Sequence, residues 1–255
     1  MNKIIKYVIV DILRNKIVIA YTLCLLLLSM GLFSLEDNSD KALVSLMSIV
    51  LFLVPLINLI FSAIYVYNSN EFIELLAAQP IQRKTLWISI FCGLACSLSL
   101  AFIIGCGIPI FLFSGSEVGI SLLLMGIFLS IIFIAIALLA AVYNRDKAKG
   151  IGLSILIWIY FAIVFDALVL FVLFQFMDYP MENTLVVLSM LNPIDLARVF
   201  LLIKIDVSAL MGATSAVFKN AFGSLKGLAL TVSVMTVWVA LPLYISLRAF
   251  IKKNL

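Results

Sequence analysis

The sequence predicts an all-α membrane protein whose single domain, residues 1–255, is a bundle of six transmembrane helices. Three observations carry that expectation. Six apolar runs with hardly a charge, at 17–35, 42–67, 86–113, 119–143, 151–176 and 226–247, match the roughly 20 residues a helix needs to cross hydrocarbon. A composition 65% hydrophobic and 12% charged, with a mean hydropathy of +1.27, leaves too few polar residues to give every helix a wetted face, which excludes a soluble domain. Segments of about ten residues alternating apolar and polar, the mark of a membrane β-barrel, do not occur.

Residues 3–15 precede the first span. Ile4, Ile5, Val8, Ile9, Ile12 and Leu13 follow helical spacing, with Lys3, Lys6, Asp11 and Arg14 between them. That pattern predicts a helix lying in the inner membrane interface, apolar side down. The first apolar run is longer than the 7–15 residues usual for a signal-peptide core, and no small-x-small cleavage site follows, so the span is expected to stay as an anchor.

Orientation follows from lysine and arginine. With the N-terminus inside, cytoplasmic segments hold Lys3, Lys6, Arg14, Lys16, Arg83, Lys84, Arg145, Lys147, Lys149, Arg248, Lys252 and Lys253, twelve of the seventeen. Tyr65, Tyr67, Trp87, Tyr143 and Tyr244 then fall near the inner interface as an aromatic belt. Both termini are expected in the cytoplasm, and the formal charge of +4 suits anionic membrane lipid without any nucleic acid.

Residues 68–85 join spans two and three on that side. Ser69 or Asn70 can cap a short helix, Glu71 and Glu74 favour its first turn, and Pro80 stops it. Phe72, Leu75 and Leu76 are expected to share one face. A short amphipathic helix that completes no span needs a partner for that face, lipid or another protein's groove. Residues 144–150 form a short basic anchor, and residues 114–117 an outer turn.

The outer segment, 177–225, is too long for a hairpin and too apolar for a disordered loop. Asn192, Pro193 and Asp195 make a helix start, with Asn at N-cap, Pro at N1 and Asp at N3. Leu196, Val199, Phe200 and Ile203 then line one side, with Arg198 beside them. A second amphipathic stretch starts at Ser208 and includes Phe218. Two outer helices could therefore form either a platform for an external partner or a lid on the bundle.

Catalytic chemistry is scarce. The chain has no histidine, so the commonest general base and metal ligand are missing. No GxxxxGK phosphate cradle occurs, and no serine or cysteine has a base beside it. The chain is expected to be no enzyme by itself. Cys92, Cys96 and Cys106 fall within an arc of about 80° on span three, which could suit a soft ion, with Met30, Met177, Met181, Met190 and Met211 to hand it on outside. Free cysteine is commonly a small hydrophobe in a core, so no metal site is assigned. Ser97, Ala101 and Gly105 make a small-residue stripe for close helix approach.

Asp166 is the carboxylate inside an otherwise apolar span, roughly 24 Å along the helix from Gly150. Ionised against lipid, it would cost about 2.5–3.5 kcal/mol. It should therefore face the bundle, a second subunit or a watery vestibule, with Thr231, Ser233, Arg198 or Lys226 as the available partners.

The interfacial helix, the six spans and the segment Glu74-Leu75-Leu76-Ala77-Ala78-Gln79-Pro80-Ile81-Gln82-Arg83 resemble the type-2 ABC transporter permeases. The resemblance implies that residues 68–85 form a coupling helix docking into a separate ATPase subunit through Glu71, Phe72, Glu74, Leu75, Leu76, Pro80 and Arg83. That subunit would hold ATP and Mg, and this chain would bind no cofactor. Ile163-Val164-Phe165-Asp166 and Leu191-Asn192-Pro193-Ile194-Asp195-Leu196-Ala197-Arg198 further resemble the NosY-type permeases of nitrous oxide reductase maturation. That likeness implies a homodimer in the bacterial inner membrane with two ATPase subunits. A periplasmic β-helical copper-processing protein would contact Asn192, Pro193, Asp195, Arg198, Phe200 and Phe218, and ATP-driven motion would serve assembly of the reductase's copper–sulfur centres. The alternative is an exporter permease for a lipid, glycan or drug.

Overall fold

A computed structural model describes residues 2–36, 38–79, 81–144, 146–176, 182–205 and 225–252. Among these residues all regular structure is helical, and six helices are long and apolar enough to cross a membrane. They are α2 (Lys16–Leu35), α3 (Ser39–Asn68), α5 (Arg83–Phe113), α6 (Glu117–Tyr143), α7 (Lys147–Gln175) and α10 (Leu225–Lys252). Shorter helices fill the connections: α1 (Asn2–Leu13), α4 (Asn70–Ala77), α8 (Glu182–Met190) and α9 (Pro193–Lys204).

Several spans begin before their apolar runs because polar side chains cap them. The Asn15 carboxamide oxygen accepts from the Ile17 N–H, Asn38 from Asp40, Ser116 from Gly119 and Asp146 from Ala148. Each satisfies a backbone donor that the first helical turn leaves open. The last span runs on to Lys252, beyond its apolar run, because Phe250 stacks on Trp87 of α5 at 4.3 Å between ring centres. The Trp87 indole N–H also donates to the Ser246 hydroxyl at 3.2 Å, fastening α10 to α5 at that end.

α6 is the hub. In its most apolar stretch 72% of the residues are buried, against 11% for α7 and 17% for α10. The hub lies against α3, α5 and α10. Close packing there needs small residues, and Gly126 leaves the space that the Phe102 ring of α5 fills.

The first helix departs from expectation. Part of its apolar side is turned into the protein: Val8 and Ile12 are fully buried, and α1 lies along α5. The reason is Gly93, which brings the α5 backbone so near that a Cβ there would come within 2.8 Å of the Val8 Cβ. Gly93→Val should therefore overpack this contact and destabilise the chain by about 1–3 kcal/mol. A thermal melt of the purified protein checks this, and an unchanged melting temperature would show that α1 is not held on α5.

Candidate functional site

The second half of α7 holds Asp166, and the sequence places Arg198 on α9 two turns into the helix started by Asn192. The start forms as its residues dictate. The Asn192 carboxamide oxygen accepts from the Ile194 N–H at 3.0 Å, Pro193 occupies the first turn, and Asp195 and Arg198 share a face at a spacing of three. The Asn192 amide nitrogen donates to the Phe161 carbonyl at 2.8 Å and to Asp195 Oδ2 at 3.1 Å. Phe161 lies in a π-turn of α7 at Tyr160–Val164, so the cap of one helix is anchored on the widened turn of another.

Arg198 closes the constellation. One nitrogen, Nη1, donates to Asp166 Oδ2 at 2.7 Å and to Asp195 Oδ1 at 3.1 Å. Of the partners open to Asp166, Thr231 and Ser233 instead bond carbonyls of their own helix, those of Gly227 and Ala229. The Lys226 side chain lies outside the described residues. Two cavities of about 270 Å³ each border the Arg198–Asp166 pair. One has apolar walls from Val169, Leu170, Leu173, Leu185, Val199 and Leu202. The other is bounded by Ser48, Leu51, Phe52, Ala162 and Ile194.

One guanidinium between two carboxylates compensates a single negative charge. Asp195 is the more buried, its side chain 13% exposed against 32% for Asp166. Burial, the hydrogen bond to Asp166 and that group's charge push the Asp195 carboxyl up to about 7, against the opposing pull of Arg198.

The outer residues are used differently from the expectation. Asn192, Pro193 and Phe200 are buried within the chain, so they hold α9 in place and do not project from it. The physical reason is that the stripe of Leu196, Val199 and Phe200 finds its apolar partner on the bundle itself, chiefly α6, with α3 and α10 beside it. Phe218, and the stretch from Ser208, lie outside the described residues. A further helix, α8, precedes α9 and meets it at a bend of 117°. Its apolar residues Leu185, Val186, Val187 and Leu188 are consecutive, which is why periodicity did not reveal it. Sequence reasoning also missed the Lys204–Glu117 pair, at 2.7 Å, which ties the end of α9 to the start of α6.

At the other end, α4 forms directly after α3, but its stripe is divided. Ile73 is buried, Leu76 packs against the core, and Phe72 stacks on Tyr7 of α1 at 5.2 Å. Leu75 points away, 68% exposed, on the side of Glu71 and Glu74. At about 100° per residue Phe72, Leu76 and Ile73 fall within one arc of about 100°, and Leu75 lies outside it. Ser69 makes no side-chain cap bond. Arg83 donates to the Ile251 carbonyl at 3.4 Å, capping the end of α10. Pro80 lies outside the described residues.

The cysteines form no cluster of three. All four are free, Cys24 and Cys96 exposed, Cys92 half-buried and Cys106 buried. A π-turn at Ile103–Gly107 breaks the 100° register on which a shared face depended. Among the described residues no group of three His, Cys, Asp or Glu could hold a metal ion.

No protein-family model matches the chain. It is similar along almost its whole length to two known proteins. One is the probable ABC transporter permease protein NosY of Pseudomonas aeruginosa, 29% identical over 92% of this chain and 89% of the relative. The other is the probable ABC transporter permease protein NosY of Stutzerimonas stutzeri, 28% identical over 92% of this chain and 90% of the relative.

The raised Asp195 carboxyl gives a pH test. Unfolded, it titrates near its ordinary 3.8, whereas folded it keeps its proton to about 7. The folded chain binds the extra proton in between, so this stabilisation is complete below about pH 4 and is lost as pH rises through 7. The wild-type melting temperature should fall between about pH 4 and pH 7, and Asp195→Asn should flatten that fall. An equal fall in both proteins would exclude Asp195 as its source.

Proposed function

We propose that this multi-pass permease subunit of an ABC transporter carries ATP-driven motion from a cytoplasmic ATPase to an outer partner assembling the copper–sulfur centres of nitrous oxide reductase. The observation that carries the reading is similarity to two NosY relatives over nine-tenths of the chain, which spans about nine-tenths of each relative in turn. In this reading ATP and Mg are held by the ATPase, the chain lies in the bacterial inner membrane, and both termini are cytoplasmic.

The geometry supports such a relay. α4 offers the ATPase an apolar knob, Leu75, flanked by Glu71 and Glu74, on a helix seated by Ile73 and Leu76. The hub α6 passes from that side to the other, where Lys204–Glu117 and Arg198–Asp166 fasten α9 to α6 and α7. Exposed Leu156, Ile163, Phe171 and Phe174 give α7 an apolar side on which a second copy could pack, making a homodimer. On the outer side Val187 and Leu191 are exposed at the α8–α9 bend, where a periplasmic partner could rest. The exporter reading draws on one feature, the apolar cavity between α7, α8 and α9, whose walls would suit an acyl chain or a drug.

Two measurements test the proposal. Leu75→Asp should reduce retention of the ATPase subunit at least about tenfold on co-purification, the scale of a truncated interface anchor, with membrane level unchanged. Leu76→Asp should instead loosen α4 itself. Undiminished retention in Leu75→Asp would remove α4 as the docking element. Separately, the chain expressed in a Pseudomonas aeruginosa strain lacking NosY should restore the visible absorption of the reductase's copper–sulfur centres. Normal membrane level and ATPase assembly without that absorption would favour the exporter.

A further inference from the structure

The side of α1 that α5 leaves open is basic. Opposite buried Val8 and Ile12, the helix exposes Lys3, Lys6 and Arg14 together with Tyr7, Val10 and Leu13. Positions 3, 7, 10 and 14 are spaced by four, three and four, so Lys3, Tyr7, Val10 and Arg14 follow one line along the helix. Among the described residues none of the three cations has an ion pair or a side-chain hydrogen bond. The carboxylate of this helix, Asp11, is exposed as well, but it lies beside that line next to Tyr65 of α3, which leaves three cations against one acid on the open side.

The position of the stripe says what covers it. α1 ends at Leu13 and the first span begins at Lys16, so the stripe lies where the chain enters the bilayer, at headgroup level. Cations there attract anionic headgroups, while Val10 and Leu13 between them suit the upper acyl region. An acidic soluble protein would satisfy the charges alone and leave those apolar side chains wet.

We propose that Lys3, Lys6 and Arg14 form a binding site for anionic phospholipid headgroups, and that its occupancy sets the position of α4. The link is Tyr7, which lies in the stripe and stacks on Phe72 of α4. A headgroup held along the stripe restrains α1, and the Tyr7–Phe72 contact hands that restraint to α4. This inference does not depend on ATPase docking, and its test contains no ATPase.

The full permease is placed in nanodiscs of phosphatidylcholine, alone or mixed with phosphatidylglycerol, and bound lipid is counted by native mass spectrometry. Wild type should enrich phosphatidylglycerol over its share of the mixture, and the triple variant K3Q/K6Q/R14Q should lower that preference at least about tenfold. Added salt should lower it in wild type, a control that needs no substitution. Hydrogen exchange of the α4 amides should be slower with phosphatidylglycerol, and Phe72→Ala should abolish that difference while the lipid preference stays. Equal retention of the two lipids, a preference indifferent to salt, or an unaltered preference in a folded triple variant would overturn the site. Exchange in α4 that ignores lipid in wild type would overturn the link.

Discussion

Hydrocarbon offers no hydrogen-bond partner, so every backbone carbonyl released by an irregular turn inside a span must find a donor within the protein. Much of the tertiary arrangement follows from that constraint. The π-turn of α5 is met by the Ser29 hydroxyl of α2, which donates to the Gly105 carbonyl at 2.9 Å. Beside the place where Pro55 interrupts the helical ladder of α3, the Trp158 indole of α7 donates to the neighbouring Phe52 carbonyl at 3.2 Å. The π-turn of α7 is met by Asn192, and the Met190 carbonyl at the α8–α9 bend receives the Trp238 indole of α10 at 3.1 Å. Each break in one helix is thus the place where another is fastened.

The Asn192 contact carries the most consequence because charge is added to it. Once the cap is anchored on Phe161, the first two turns of α9 fall beside α7, and Arg198 reaches Asp166. Asp195 on the same turn makes a second acid for one guanidinium, so the cluster is neutral only while one acid keeps its proton. An apolar cavity therefore ends in a group of charges whose balance depends on a proton. That is a different proposition from a lone buried carboxylate, which lipid would penalise without compensation.

The elements around α4, at the opposite end of the bundle, form a second fastened group. Trp87, Ser246 and Phe250 hold α10 to α5, Arg83 caps the end of α10, and α1 lies in the groove that Gly93 leaves on α5. α4 sits between these parts with its inward side occupied, so Leu75 and its acidic neighbours are what it presents. A push on that surface would be passed to packed helices and not absorbed by a loose loop.

The sequence by itself determined the six spans, because a run of apolar residues long enough to cross hydrocarbon has few other uses. It also determined the start of α9, because Asn192, Pro193 and Asp195 act on backbone within one turn. Only the tertiary structure decided which apolar side faces what. Val8, Leu76 and Phe200 have the same helical spacing whether they meet lipid, a partner or the chain's own core, and packing alone chose the last. The choice of Arg198 over Thr231 and Ser233 was likewise set by three-dimensional reach across 32 residues of chain. α8 escaped notice because its burial comes from the bend that folds it back, and a bend between two helices leaves no periodicity to read.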